Sequence, residues 1–210
     1  MTETLLLAKA LICKQSITPA DDGCCALIAD ELKSVGFNIH WISCENVTNL
    51  WATHGEGSPT LCLVGHTDVV PTGPLESWQY PPFSGTIEGD WLHGRGSADM
   101  KGSLASLVIA AKNFVKQHPN HSGQVSLLVT SDEEGKALHG VRYASQWLKE
   151  QNCIPDYALI GEPSSEEWLG DIIKIGRRGS LTGHLTIKGI QGHVAYPQLA
   201  LNPIHQAFQS

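Results

Sequence analysis

The sequence has no long hydrophobic run: none reaches the ~18 residues that a membrane-spanning helix needs. Its start, Met1-Thr2-Glu3-Thr4-Leu5, lacks the basic opening and long apolar core of a signal peptide. Positive charge is scarce: 14 Lys and Arg stand against 21 Asp and Glu, a formal net charge of -7. That balance argues against a general nucleic-acid binder, which needs a basic face to neutralise phosphates. The 6 cysteines form no Cys-x-x-Cys pair, so no paired thiolate ligands are on offer. Cys13, Cys24, Cys25, Cys44, Cys62 and Cys153 read as reduced thiols of a reducing compartment, with Cys62 a small core residue in Leu61-Cys62-Leu63-Val64. There are no repeats and no low-complexity segment. What remains is an ordinary soluble chain, 41% hydrophobic and 17% charged, expected in the cytoplasm with neither nucleic acid nor membrane as partner. Its 210 residues suffice for one large domain, or one domain and part of another.

The apolar pattern alternates between helix and strand periods. Residues 3–15 have helical spacing. Thr18-Pro19 predicts an N-cap and first turn of a helix running to Val35, with Gly36 as its stop. Strands are expected over 37–42, 49–53, 60–65, 124–130 and 157–160, the last three buried, and helices over 100–117 and 137–150. Residues 70–98, rich in Gly, Pro and Trp, predict a long functional loop with a hairpin near 85–91. This order predicts an α/β layered domain over 1–178. Residues 180–188 alternate as an antiparallel strand with one wet face would, so a second domain is expected from 179 to 210. The helical pattern at 202–210 breaks off without a cap, so the chain is expected to be the N-terminal part of something longer.

Chemistry gathers at the expected strand ends. Gly65-His66-Thr67-Asp68 follows one strand, Ser131-Asp132-Glu133-Glu134-Gly135 a second and Gly161-Glu162-Pro163 a third, while Asp99 stands directly before a helix. Taken singly each has a plain reading: Asp99 as an N-cap, Glu133-Glu134 as solvated surface, Glu162 as a loop residue, His66 as a core histidine. Taken together they place one imidazole and several carboxylates at the strand ends where α/β sheets bind ligands. Carboxylates so crowded repel, and a divalent ion removes the conflict; zinc or a similar ion suits this donor set. Asp68 shares a side with His66 in an extended segment, so it is placed to fix the imidazole's tautomer.

These motifs, with Pro71, Trp78, Pro81-Pro82-Phe83, Gly94-Arg95-Gly96, Met100-Lys101-Gly102, Arg177-Arg178-Gly179-Ser180 and Gly189 to Pro197, resemble the zinc aminoacylase/carboxypeptidase family of co-catalytic metallohydrolases. The pattern is most similar to its desuccinylase branch, which acts on small N-succinyl amino acids. The resemblance covers essentially the whole chain. It implies a three-layer α/β/α zinc-hydrolase domain with the start of an inserted α+β dimerisation domain, and a homodimer in the full-length protein. It implies two Zn2+ per full-length subunit, with Co2+ as a substitute. His66 and Glu162 would hold one ion, Glu134 the other, and Asp99 would bridge them. Glu133 would be the general base, Asp68 would orient His66, and His193 would stabilise the transition state in a partner subunit. Lys174, Arg177, Ser180 and Tyr196 would hold the substrate's carboxylates. The peptide Asp99-Met100 is expected to be cis.

Full-length members are longer, and a returning segment supplies a last histidine to the second ion. None of His40, His54, His93, His118, His121, His139, His184 and His205 carries the matching motif, so the second ion's ligand set is expected to be incomplete in this chain. A deacetylase or carboxypeptidase-like relative, or a metal-binding fragment with little turnover, are the alternative readings.

Overall fold

Residues 125–130 are mostly apolar, and they lie in the middle strand of a five-stranded sheet. In the computed structural model, which describes residues 1–176, 179 and 181–208, the strands of this sheet are β1 (Asn38–Trp41), β2 (Asn49–Glu56), β3 (Thr60–His66), β6 (Gly123–Thr130) and β7 (Tyr157–Ile160). Their order is β1-β2-β6-β3-β7. β2 runs antiparallel to β1 and β6, whereas β3 lies parallel between β6 and β7. A separate hairpin, β4 (Thr86–Glu88) with β5 (Trp91–His93), sits in the long loop as the glycines there predict.

The helices are α1 (Glu3–Ile12), α2 (Cys24–Lys33), α3 (Gly102–Gln117), α4 (Val141–Glu150) and α5 (Pro203–Ala207). Side chains alternate across a strand, so each central strand feeds two cores. Leu50, Ala52, Leu63, Leu127 and Val129 join Leu11 of α1, Ile28 and Leu32 of α2 and Leu104 and Val108 of α3. Their neighbours Trp51, Cys62 and Leu128 turn to the other face, against Ala144 and Leu148 of α4. The result is the α/β layering that the element order predicts, in the three-layer α/β/α form that the resemblance implies. Each fully buried leucine or isoleucine contributes about 2 kcal/mol.

The backbone divides into two compact units, Met1–Ser164 and Ser165–Ser210. The boundary expected at 178–179 falls inside the second unit, and Arg178 lies outside the described residues. Three expectations need correction. The helix expected from Thr18 begins at Cys24, because Asp22 (φ 49) and Gly23 (φ 81) turn the chain through the left-handed region first. Gly23 rather than Thr18 takes the N-cap position, and both Asp21 carboxylate oxygens accept the Cys25 N–H, at 3.0 and 3.1 Å. β7 is not buried: it is the outer strand, with Tyr157, Leu159 and Ile160 half or more exposed. Residues 181–188 form no strand, since alternation makes a strand only where a second chain segment completes the ladder; the pairing described nearby is a single bridge, Ile190 to Leu201.

Lys101 had no structural role in the sequence pattern, yet it is fully buried. Its Nζ donates to the carbonyls of Leu11 (2.8 Å) and Lys14 (2.9 Å), closing the C-terminal end of α1. Burial pushes its amine below the usual lysine value. Lys101→Ala is expected to lower unfolding stability by about 3 kcal/mol, measured by urea denaturation, because buried carbonyls lose their donor and the stem leaves a void.

His54 at the end of β2 meets His121, with ring nitrogens 2.9 Å apart. Burial, and then the neighbouring His121, lower its pKa. A histidine depressed in the folded state supports stability above its unfolded value of about 6.5, and that support is lost as pH falls through the folded value. Thermal melts are therefore expected to fall more steeply for the wild-type chain than for His54→Gln between about pH 7 and about pH 5.

Candidate metal centre

Parallel pairing aligns the ends of three strands. His66 stands opposite Thr130, and Val64 opposite Ile160, so β3, β6 and β7 all finish at one edge of the sheet. The next residues on each, Thr67-Asp68, Ser131 to Glu134 and Gly161-Glu162, leave the sheet side by side. Asp99 arrives from the turn Ser97–Lys101 that leads into α3. The Asp99-Met100 peptide is cis, as the resemblance led us to expect. Met100 is fully buried behind the site. A Cβ on Gly65 would come within 2.8 Å of its Cε, and one on Gly161 would come equally close, so glycine at both strand ends makes room for it.

His66 is the fixed point. It is 1% exposed, and its Nδ1 donates to the carbonyl of Asp68 at 2.9 Å. That leaves Nε2 facing Asp99 Oδ1 at 3.1 Å and Glu162 Oε1 at 3.5 Å. The Asp68 carboxylate is a more distant neighbour of Nδ1, at 3.5 Å. It chiefly accepts the backbone N–H groups of Glu133 and Glu134, at 3.0–3.2 Å, and so ties the acidic loop to the histidine's own loop. Two groups of donor atoms lie within 4.8 Å of one another: His66, Glu133 and Glu162, and His66, Asp99 and Glu134. Asp132, the remaining acid of that run, turns away and accepts from the N–H groups of Ala137 and His139.

Charge crowding marks the site. Burial opposes charge on His66, but the Asp68 carboxylate and carbonyl, and then Glu162, outweigh it and raise the imidazole to about 9. Burial raises Glu162 to about 7, with Asp99 and Glu133 adding to the rise and His66 offsetting part of it. Glu134 is raised by burial and by Asp99. Asp68 goes the other way: burial opposes its charge, but His66 and the two backbone N–H donors hold it below the usual carboxylate value. One imidazole with this many carboxylates is a donor set that fits a divalent ion.

The other expected residues lie apart in sequence. Lys174, His193 and Tyr196 belong to the second unit, where His193 and Tyr196 share a turn, with the Tyr196 N–H donating to the His193 carbonyl at 2.9 Å. Arg177 and Ser180 lie outside the described residues. Sequence reading missed the anchoring of the loop 70–98. There Arg95 lies 5.0 Å over the Trp78 ring and donates to the Pro71 carbonyl, and the Trp78 Nε1–H donates to Thr72. The aromatic and arginine in that loop were the available signal.

Residues 62–209 match the family model of peptidase family M20/M25/M40. The chain belongs to that family. Among M20 relatives, the succinyl-diaminopimelate desuccinylase of Pseudoalteromonas translucida (strain TAC 125) is 55% identical over 203 residues, which are 97% of this chain and 54% of that protein. The protein of the same name from Shewanella piezotolerans (strain WP3 / JCM 13877) is 56% identical over 97% of this chain and 53% of its own length. The chain thus spans about half the length of the curated relatives it matches. Among solved structures, an M20 family metallo-carboxypeptidase from Sulfolobus solfataricus aligns with a TM-score of 0.67 at 23% identity, over 77% of this chain and 37% of its own. Human carnosine dipeptidase 1 aligns with a TM-score of 0.65 at 20% identity, over 75% of this chain and 38% of its own. These two likenesses speak to the M20 fold.

His66 is the imidazole common to both donor groups. His66→Ala is expected to weaken Co2+ binding by more than about a hundredfold, beyond what loss of a group that merely supports a ligand costs. Titration followed in the visible spectrum reads this.

Proposed function

We propose that the chain is the N-terminal part of an enzyme that hydrolyses the amide bond of N-succinyl-L,L-2,6-diaminopimelate to succinate and L,L-diaminopimelate, a step of diaminopimelate and lysine biosynthesis. The observation that carries this reading is the 53–56% identity, across nearly the whole chain, to proteins named for that activity. His66 and Glu162 would hold one divalent ion and Glu134 a second, with Asp99 between them. Zinc, or cobalt in its place, would supply Lewis acidity toward the amide carbonyl and toward water.

The chain's own groups then have defined tasks. Asp68 keeps the proton on Nδ1 of His66, so Nε2 is free to bind. Glu133 takes a proton from the attacking water at its carboxylate and returns it to the leaving amine nitrogen. Lys174, Arg177, Ser180 and Tyr196 are assigned to the substrate's carboxylates, for which arginine's paired donors are suited. His193 is assigned to the transition state across a homodimer of the full-length protein. A cytoplasmic place accords with six free cysteines. Among the described residues no helix is long and apolar enough to cross a membrane. In this chain the second ion would have Asp99 and Glu134, whose donor atoms lie within 4.8 Å of one on His66.

Two measurements test this, made on the full reading frame that contains the chain. Turnover of N-succinyl-L,L-diaminopimelate is expected to exceed turnover of N-acetylornithine; a marked preference for the acetyl compound sinks the assignment. Glu133→Gln is expected to lower kcat by about a thousandfold while metal content stays unchanged. Loss of metal with the same substitution would instead make Glu133 a ligand.

A further inference from the structure

The structure assigns Ser16 and Asp21, between α1 and α2, as positioning residues that clamp the His66-Thr67-Asp68 turn so that His66 presents Nε2 to the site. The assignment rests on the reading that His66 binds a divalent cation. Neither residue belongs to any of the strand-end motifs.

Ser16 is fully buried and grips the turn on both sides of Asp68. Its hydroxyl donates to the Thr67 carbonyl at 2.7 Å, and its own carbonyl accepts the Val69 N–H at 2.9 Å. The hydroxyl bond, which only the side chain can make, holds the turn against this segment, and the backbone bond sets the direction of the next carbonyl. The Val69 N–H and the Asp68 carbonyl belong to one planar peptide and point to opposite sides of the chain. Fixing the N–H on Ser16 therefore aims the carbonyl the other way, where it accepts from His66 Nδ1 at 2.9 Å. That hydrogen bond decides which imidazole nitrogen carries the proton and which is left to bind.

Asp21 acts on the adjacent side chain. Its Oδ1 accepts the Thr67 hydroxyl at 2.9 Å while both its oxygens hold the Cys25 N–H. The residue that follows His66 is thus tied to the first turn of α2. Two more bonds extend the clamp: the Thr18 N–H donates to the Val69 carbonyl at 3.0 Å, and the Ser131 hydroxyl donates to the Pro19 carbonyl at 2.9 Å. The segment 16–21 therefore touches both the histidine loop and the start of the acidic loop.

The test is Co2+ affinity of the 210-residue chain, read in the visible spectrum, beside urea denaturation of the metal-free proteins. Ser16→Ala and Asp21→Ala are each expected to weaken Co2+ binding about tenfold or more. Asp21→Asn keeps an acceptor for the Thr67 hydroxyl and is expected to stay within about threefold of wild type. Ile28→Val, a core change in α2, serves as the control for stability alone. It is expected to cost stability and leave Co2+ affinity unchanged. If Asp21→Ala does not fold, Ser16→Ala carries the same comparison. Ser16→Ala and Asp21→Ala proteins that bind Co2+ as Ile28→Val does would overturn the positioning role and leave the cation reading standing. A wild-type chain that does not bind Co2+ would overturn the cation reading, and the positioning role with it.

Discussion

The structure depends on the parallel placement of β3 between β6 and β7. Parallel strands end at the same edge, so residues nearly a hundred positions apart leave the sheet as neighbours. Their order along that edge is fixed by hydrogen-bond register, with His66 level with Thr130 and Val64 level with Ile160. A slip of one residue in β3 would turn His66 to the other face, since side chains alternate. The two cores hold the register: Leu63 and Leu127 face one helical layer while Cys62 and Leu128 face the other. Packing energy spread over many apolar side chains thus sets the position of a few polar ones.

Those polar groups are in electrostatic conflict. A pair of like charges ~4 Å apart costs about 4 kcal/mol at the effective dielectric of a protein surface. A single imidazolium cannot neutralise Asp68, Asp99, Glu133, Glu134 and Glu162 together. Asp68 is relieved by His66 first and then by hydrogen-bond donors that include the Glu133 and Glu134 backbone N–H groups, and its pKa is lowered. Burial chiefly raises Glu162 and Glu134, and repulsion from Asp99 adds to the rise. A divalent ion carries twice the charge of a proton and accepts several oxygens at once, so it resolves the conflict where protonation of one acid relieves part of it. The site costs stability when empty of charge compensation, and the fold carries that cost in its apolar layers.

The strand ends and their acids were legible because both signals are local. An apolar run predicts a strand, and the polar residue just past it must stand at the sheet's edge. The long loop and its hairpin were legible for the same reason. What was not legible is tertiary. Asp21 looked like one more residue inside a helix that Thr18 would start; the left-handed pair Asp22-Gly23 moved the helix and freed Asp21 for Thr67. Lys101 reads only as part of a motif, yet its partners are carbonyls at the end of α1 and just beyond it, some ninety residues earlier. Residues 181–188 carry a strand's alternation without a partner to complete it, and 157–160 carry an interior strand's composition at the sheet's edge. Periodicity reports what a segment can form; pairing decides what it does form.

The same contrast divides the site. His66 is enclosed, bonded through Nδ1 and held in a turn fastened by Ser16 and Asp21. Asp99 and Glu162 have side chains 52% and 40% exposed, and no backbone donor restrains either carboxylate among the described contacts. Exposed carboxylates keep rotamer freedom, which binding must remove at an entropic cost. An imidazole already fixed in tautomer and direction carries little of that cost. Were a cation bound, the fixed imidazole would therefore set its place, and the acids would close onto it. A fixed histidine matters more to such a site than any one acid, because several carboxylates can trade the remaining positions while His66 is the imidazole on which both donor groups depend.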